Sequence, residues 1–240
     1  MSRHPTAPTR RSTKPALQKR SAAGTKARIL DAALSEFATR GFAGARVDVI
    51  AGVARTNKRM LYAYVGNKDA LWLATLEAAY TAKRKEERQL ATDTLSPEEA
   101  LRALIRFNFR YHLEHPEFVA LVNNENLMGA RKLRRSKLVP QLYSPLLETL
   151  TEVLRRGQKA KVFRSGVDPM QLYISIAALG YFYISNIRTL SVIFASELDS
   201  PKGMKQREEH VIDVVMSYLA GQPAVRRNPA PSRSGRAPGR

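Results

Sequence analysis

Asn57, Lys58 and Arg59 are consecutive, and each side chain can hydrogen-bond a base edge or a phosphate. Arg59 is the better match to guanine, whose two major-groove acceptors suit a guanidinium fork. Lys58 and Arg59 are therefore the candidate base readers, and Arg46 is a further candidate for a phosphate. Chemistry of other kinds finds little support. There is no cysteine, hence no thiolate metal site or cysteine nucleophile. Neither a Ser-His-Asp set nor a pair of carboxylates suited to acid–base work is legible, so no enzyme is expected. His112, Glu125 and His115 have no firm metal-ligand spacing. The sequence calls for no metal and no cofactor.

Two short helices must position the Asn57–Arg59 run. Val47, Ile50, Ala51 and Ala54 recur at helical spacing and give the first an apolar face. Asn57 can cap the second, in which Met60, Leu61 and Tyr64 repeat at three- and four-residue intervals. Asn67 caps a third helix that Lys68 and Asp69 enter. Two short helices joined by about three residues form a helix-turn-helix, whose second helix meets the major groove with its N-terminal residues.

The run V-D-x-I-A-x-x-A-x-x-N-K-R-x-L-Y-x-Y, followed by N-K-x-A-L, resembles the DNA-binding region of the TetR family of bacterial repressors. R-I-L-x-A-A-x-x-x-F-x-x-x-G-F, from Arg28, is similar to that family's first helix. Two departures stand out. The family usually has Gly-Val in the turn where Arg55-Thr56 stand, and a capping Thr near Ala45. The resemblance implies an all-α fold, with an N-terminal three-helix head joined by a long helix to a C-terminal ligand-binding and dimerisation domain. It implies that Tyr62 and Lys68 hold phosphates. The full DNA-facing set is then Thr25, Arg46, Val47, Asn57, Lys58, Arg59, Tyr62, Tyr64 and Lys68. The expected partners are a double-stranded DNA operator, a second copy of the chain and an unknown small-molecule effector, with no membrane. The expected location is the cytoplasm, at the nucleoid.

Composition agrees with a polyanionic partner. The 240 residues carry a formal charge of +19, and 44% are hydrophobic, enough for a sizeable core. Residues 1–24 hold six Lys or Arg and no acid, and read as a disordered basic arm. The head is expected over 25–70. Its first helix should run from Thr25, as cap, to Arg40, with Gly41 as the stop and Phe42 as the contact beyond it. The second domain is expected over 71–220, with a disordered basic tail over 221–240.

The helix from Lys68 should reach about Leu90, roughly 33 Å at 1.5 Å per residue. Its second half, K-R-K-E-E-R, reads as a solvated face. Ser96-Pro97-Glu98-Glu99 is a helix start with a capping box. Asn108 and His112 lie on the apolar stripe of that helix. They are either satisfied core polars or, with Glu125, Tyr143, Tyr173 and Tyr181, candidate pocket lining. Pro140 and Pro145 should confine the next helix to the part after Pro145, or kink it there. Leu172 to Ile187 is apolar nearly all round, but falls short of the about 20 residues a membrane span needs. A helix apolar on all sides must be covered on all sides. Ala177, Ala178, Gly180 and Ile184, with Ile212, Val215 and Leu219 of the last helix, are the candidate dimer contacts. A sequence-tolerant architectural DNA-binding protein without a ligand is the alternative function.

Overall fold

The computed structural model describes residues 14–220. The outer arm, 1–13, and the basic tail, 221–240, lie outside the described residues. Among the described residues all regular structure is helical.

Helix α1 (Lys14–Gly44) starts well before the expected Thr25 cap. Pro15 sits in its first turn, where a missing N–H costs nothing, and Ala-Leu-Gln-Lys-Arg contains good helix formers. Residues 14–24 are thus helical, correcting the reading of the whole arm as disordered. Thr25 is inside α1, and its hydroxyl accepts a hydrogen bond from Arg28 Nη2 at 3.1 Å. It lies a few turns inside the helix, so its assignment to a phosphate at a helix N-terminus is also corrected. Gly41 does break the helix, with φ 64° and ψ 177°. A Cβ there would lie 2.8 Å from Asn124 Oδ1, so both conformation and space favour glycine.

Helices α2 (Val47–Val53) and α3 (Lys58–Val65) form the helix-turn-helix. The Arg46 side chain does not cap α2; its backbone N–H donates instead to Glu36 Oε1 at 3.0 Å. Asn57 Oδ1 accepts from Met60 N at 2.8 Å, and Asn67 Oδ1 accepts from Ala70 N at 2.9 Å. Both Asn caps expected from the sequence are therefore formed. The turn between α2 and α3 puts Arg55 at φ 53°, the left-handed region where a Cβ is unfavourable. This is one of the two positions where the resemblance would place Gly-Val.

Helix α4 (Lys68–Glu87) continues into a 3-10 turn, Arg88–Leu90. Helices α5 (Pro97–Glu114), α6 (Pro116–Leu127), α7 (Leu138–Lys159), α8 (Pro169–Ile193) and α9 (Pro201–Ala220) complete the chain. The Ser96–Glu99 capping box is present, and Asp168 caps α8 through Gln171 N. Helix α7 runs unbroken through Pro145, contrary to the expectation that proline would confine it. The half of α7 beyond Pro145 buries Leu146, Leu150, Val153 and Leu154, which hold the helix despite the missing N–H.

Two apolar cores result. One joins α1, α2, α3 and the start of α4 to α6, through Phe37, Ile50, Leu61, Trp72, Phe118 and Leu121. The other joins α5, α7, α8 and α9, through Leu101, Ile105, Leu150, Ile176, Val211 and Ile212. Ile212, Val215 and Leu219 are 3%, 3% and 0% exposed inside this second core. They fill the subunit's own interior, which corrects their assignment to a dimer interface. Gly180 is likewise buried, with its Cβ position 3.5 Å from the Phe109 ring. Helix α8 extends past the expected end at Ile187. Its 25 residues are long and apolar enough, by composition, to cross a membrane, although the sequence stretch read as too short.

Arg55→Gly should keep or raise stability, by up to about 1 kcal/mol, because it removes a left-handed non-glycine residue. Ala54→Gly, at a buried right-handed position, should lower it by about 1 kcal/mol. Urea unfolding of both variants checks this; a clear loss on Arg55→Gly would contradict the account of the turn.

Candidate DNA-reading head and effector cavity

The reading helix α3 is anchored by one buried residue, Leu61, which is fully enclosed. Around it Tyr62, Tyr64 and Val65 are half-buried against the head core. The opposite side carries the polar residues. Asn57, Lys58 and Arg59 are all exposed at the N-terminal end of α3. Lys58 Nζ lies 6.0 Å from the Tyr62 ring centroid, so one cation and one phenol share a patch. Arg46 is exposed and pairs with Asp48 at 2.7 Å. Its hydrogen bond holds the Asp48 carboxyl below the usual range. Lys68 Nζ donates to the Ala43 carbonyl at 3.3 Å and lies 5.2 Å from the Phe42 ring centroid. Val47 is 8% exposed and part of the head core. It supports the two helices from beneath, which corrects its place in the DNA-facing set.

Helix α4 carries the head's connection to the rest of the molecule. Trp72 Nε1 donates to Glu125 Oε2 at 2.7 Å, fully buried. The other carboxylate oxygen, Oε1, accepts from Lys132 N and Leu133 N at 2.9 and 2.8 Å. Glu125 is therefore spent on Trp72 and on the turn after α6, which corrects its assignment to a ligand pocket. The Trp72 ring meets Phe37 and Phe42 edge-on, with centroids 4.7 and 5.5 Å away. Lys132 Nζ pairs with Asp69 at 2.5 Å and sits over Phe42.

Farther along α4 the charged run departs from expectation. Lys83 and Arg84 are 2% and 1% exposed, and Glu87 is buried with them. Only Lys85, Glu86 and Arg88 of K-R-K-E-E-R face solvent. A signal was present in the sequence: Trp72, Leu76, Ala79, Lys83 and Glu87 recur at three- and four-residue spacing, continuing the apolar stripe into the charged segment. Arg84 forms an ion pair with Glu87, donates to the Tyr173 hydroxyl at 3.1 Å, and packs on the Tyr143 ring. Lys83 Nζ is 2.9 Å from His112 Nε2.

Arg84 and Glu87 line a separate cleft, whereas Lys83 and His112 border a cavity of about 300 Å³ between α4, α5, α6, α7 and α8. His112, Tyr143, Tyr173 and Tyr181 of the candidate pocket set do line it; Lys83, Tyr80 and Phe118 join them. The Tyr181 hydroxyl donates to Asn123 Oδ1. Asn108 does not reach this cavity. It borders a separate void of about 10 Å³ behind Tyr173, with room for at most one water. Ala177 and Ala178 lie at the cavity wall, and Ile184 is half-buried farther along α8. Burial keeps His112 neutral, with its pKa pushed down to about 3; the nearby charges of Lys83 and Arg84 act in the same direction. Burial, then Arg84, also lowers the Lys83 amine from its ordinary value, against a weaker opposing pull from Glu87.

Sequence models match the chain in two places. Residues 29–75 match the model for bacterial regulatory proteins of the tetR family, and residues 97–215 match a tetracyclin repressor-like C-terminal domain. The HTH-type transcriptional repressor NicS of Pseudomonas putida is 37% identical over 174 residues, spanning 72% of this chain and 82% of that protein. The chain belongs to the TetR family of bacterial transcriptional regulators. A second relative, the HTH-type transcriptional repressor SCO4008 of Streptomyces coelicolor, is 41% identical over 156 residues, or 65% of this chain and 76% of that one. Among solved structures, SCO4942 of Streptomyces coelicolor superposes with a TM-score of 0.61 at 24% identity, covering 81% of this chain and 98% of that one. AibR, solved with isovaleryl coenzyme A and operator DNA, gives 0.59 at 18% identity, over 79% and 97%. These structural likenesses show the helical fold, and the family models and relatives make this chain a DNA-binding transcriptional regulator.

His112 supplies a pH test. Its proton is bound in the unfolded chain below about pH 6.5 but in the folded protein only below about 3. Its contribution to stability is therefore complete above pH 6.5 and is lost as pH falls toward 3. His112→Gln keeps an acceptor for Lys83 but does not titrate. Its stability should fall less steeply through that window, by up to about 1.4 kcal/mol per pH unit. Urea unfolding of both proteins at a series of pH values checks this, and parallel profiles would contradict it.

Proposed function

We propose that the protein is a homodimeric repressor that places α3 in the major groove of an inverted-repeat operator and is released by a small molecule bound in the cavity. The carrying observation is the exposed Asn57–Lys58–Arg59 end of α3, held outward by the buried Leu61 beneath it. Lys58 and Arg59 are the base readers; Arg46, Tyr62, Tyr64 and Lys68 serve the backbone. The head corresponds to residues 25–70 and the effector and dimerisation domain to 71–220. NicS and SCO4008 are named as repressors, and AibR was solved with both an acyl thioester and operator DNA, which supports a ligand-responsive repressor here.

The dimer reading rests on an uncovered apolar face. Ile174, Ala178 and Phe182 recur every four residues on α8 and are exposed, Phe182 by 58%. Val214 and Tyr218 of α9 are also exposed. A second copy packing α8 and α9 against these residues makes a four-helix interface and accounts for the apolar length of α8. The contacts are thus Ile174, Ala178, Phe182, Val214 and Tyr218 in place of the buried Ile212, Val215 and Leu219. A two-fold dimer then sets the symmetry of the operator.

Effector release requires that the ligand bind the non-operator state more tightly. Helix α4 offers the route, since it carries Trp72 of the head core and Lys83 of the cavity.

Selection from a random DNA pool at near-physiological salt should enrich one inverted repeat. Retention without enrichment would instead favour a sequence-tolerant architectural protein. On the selected operator, Arg59→Ala should cost about 1–3 kcal/mol and relax preference at one base pair in each half-site. Equal loss on all sequences would reduce Arg59 to a phosphate contact.

A further inference from the structure

The cavity is lined by a buried amine, Lys83, that forms no ion pair among the described residues. Lys83 is 2% exposed, and Glu87 gives its carboxylate to Arg84. Among the described residues, what meets the Lys83 ammonium is His112 Nε2 at 2.9 Å and the faces of Tyr111 and Phe118, each 5.3 Å to the centroid. With Lys83 as the donor at Nε2, the neutral His112 ring carries its proton on Nδ1. That Nδ1 is buried and has no partner among the described residues. Ring π-faces and one neutral acceptor offset only part of the cost of taking an ammonium out of water.

The surroundings select the kind of molecule that would complete the set. Arg84, next in sequence, is paired with Glu87 and packs on the Tyr143 and Tyr173 rings, so Lys83 is the cation that lines the cavity. The walls are ring faces and edges: Tyr80, Phe118, Tyr143, Tyr173 and Tyr181. Tyr80 meets Phe118 and Tyr143 edge-on, with centroids 5.3 and 6.1 Å away, and all three rings line the cavity. The volume of about 300 Å³ is at the small end for ligand sites. A cationic ligand would meet like charge there, and a neutral one would leave Lys83 uncompensated.

We propose that the effector is a small organic anion, a carboxylate borne on a planar ring, with its carboxylate against Lys83 and its ring between the tyrosine and phenylalanine walls. This rests on the reading of the cavity as the effector site. The carboxylate supplies the charge that Lys83 lacks, in a setting where a charge-assisted hydrogen bond is strong. Lys83 is then the residue that separates acids from their neutral isosteres.

The test is a ring-matched panel on the full chain: benzoate, phenylacetate and cinnamate against their amides, with benzylamine as the cation. Thermal unfolding should show a rise in Tm with at least one acid and none with its amide or with benzylamine. For that acid, calorimetry on Lys83→Met should show Kd weakened about 10- to 100-fold, the range of one hydrogen bond to a charged group. Lys83→Met should itself fold, with Tm equal to or above that of the natural protein, since it removes an uncompensated buried charge. Amides binding as well as acids, no acid binding, or an unchanged Kd in Lys83→Met would each overturn the proposal. An acid that binds through Lys83 without weakening operator binding would uphold the anion assignment and contradict the effector reading instead.

Discussion

A single buried hydrogen bond, from the Trp72 indole to the Glu125 carboxylate, is the point on which the two halves of this molecule meet. Its donor belongs to α4 and its acceptor to α6. The same carboxylate closes the turn after α6 through two backbone N–H groups. The indole ring forms the wall against which Phe37 and Phe42 of the head pack. A charge in this position is tolerable because three donors surround it, and each would be left unsatisfied without it. The head is thereby part of a core that continues into α6.

This arrangement gives α4 its role. Trp72 and Lys83 are eleven positions apart, about 17 Å along a helix at 1.5 Å per residue. One end packs in the head and the other floors the cavity. Tyr80 and Phe118 contact each other from α4 and α6, so both helices border the cavity and both hold the Trp72–Glu125 bond. A molecule that changes the spacing of α4 and α6 near Lys83 therefore acts on the elements that fix the head. Close packing makes such contacts bistable rather than continuously deformable, which is what a switch requires.

Local chemistry was the most legible part of this structure. Asn57, Asn67, Ser96 with Glu99, and Asp168 all cap helices, because a cap depends on a side chain and a backbone N–H three residues away. Apolar periodicity marked individual helices, and the resemblance to the TetR family implied their all-α assembly. Long-range facts were harder to see. The stripe of Ile212, Val215 and Leu219 announced burial but not by which surface, and the subunit's own α5 took it. Glu125 looked like a polar group on a pocket wall until Trp72 proved to be its partner from 53 residues away. Lys83, Arg84 and Glu87 were masked by their charge, although their spacing continued the stripe from Trp72. Charged residues are so seldom buried that composition outweighed periodicity there. Pro145 failed to break α7 because the packing of Leu146 and Leu150 outweighs one lost hydrogen bond.

Head and body form one mechanical unit through Trp72. Trp72 is the chain's one tryptophan, so its emission reports the junction alone. The most direct measurement follows that emission and far-UV circular dichroism through one urea titration at fixed protein concentration. The account predicts that the two transitions superimpose, as for a single cooperative unit. A first loss of helix that leaves Trp72 emission unchanged, or a shift of that emission well before the helices melt, would show head and body unfolding separately and contradict it.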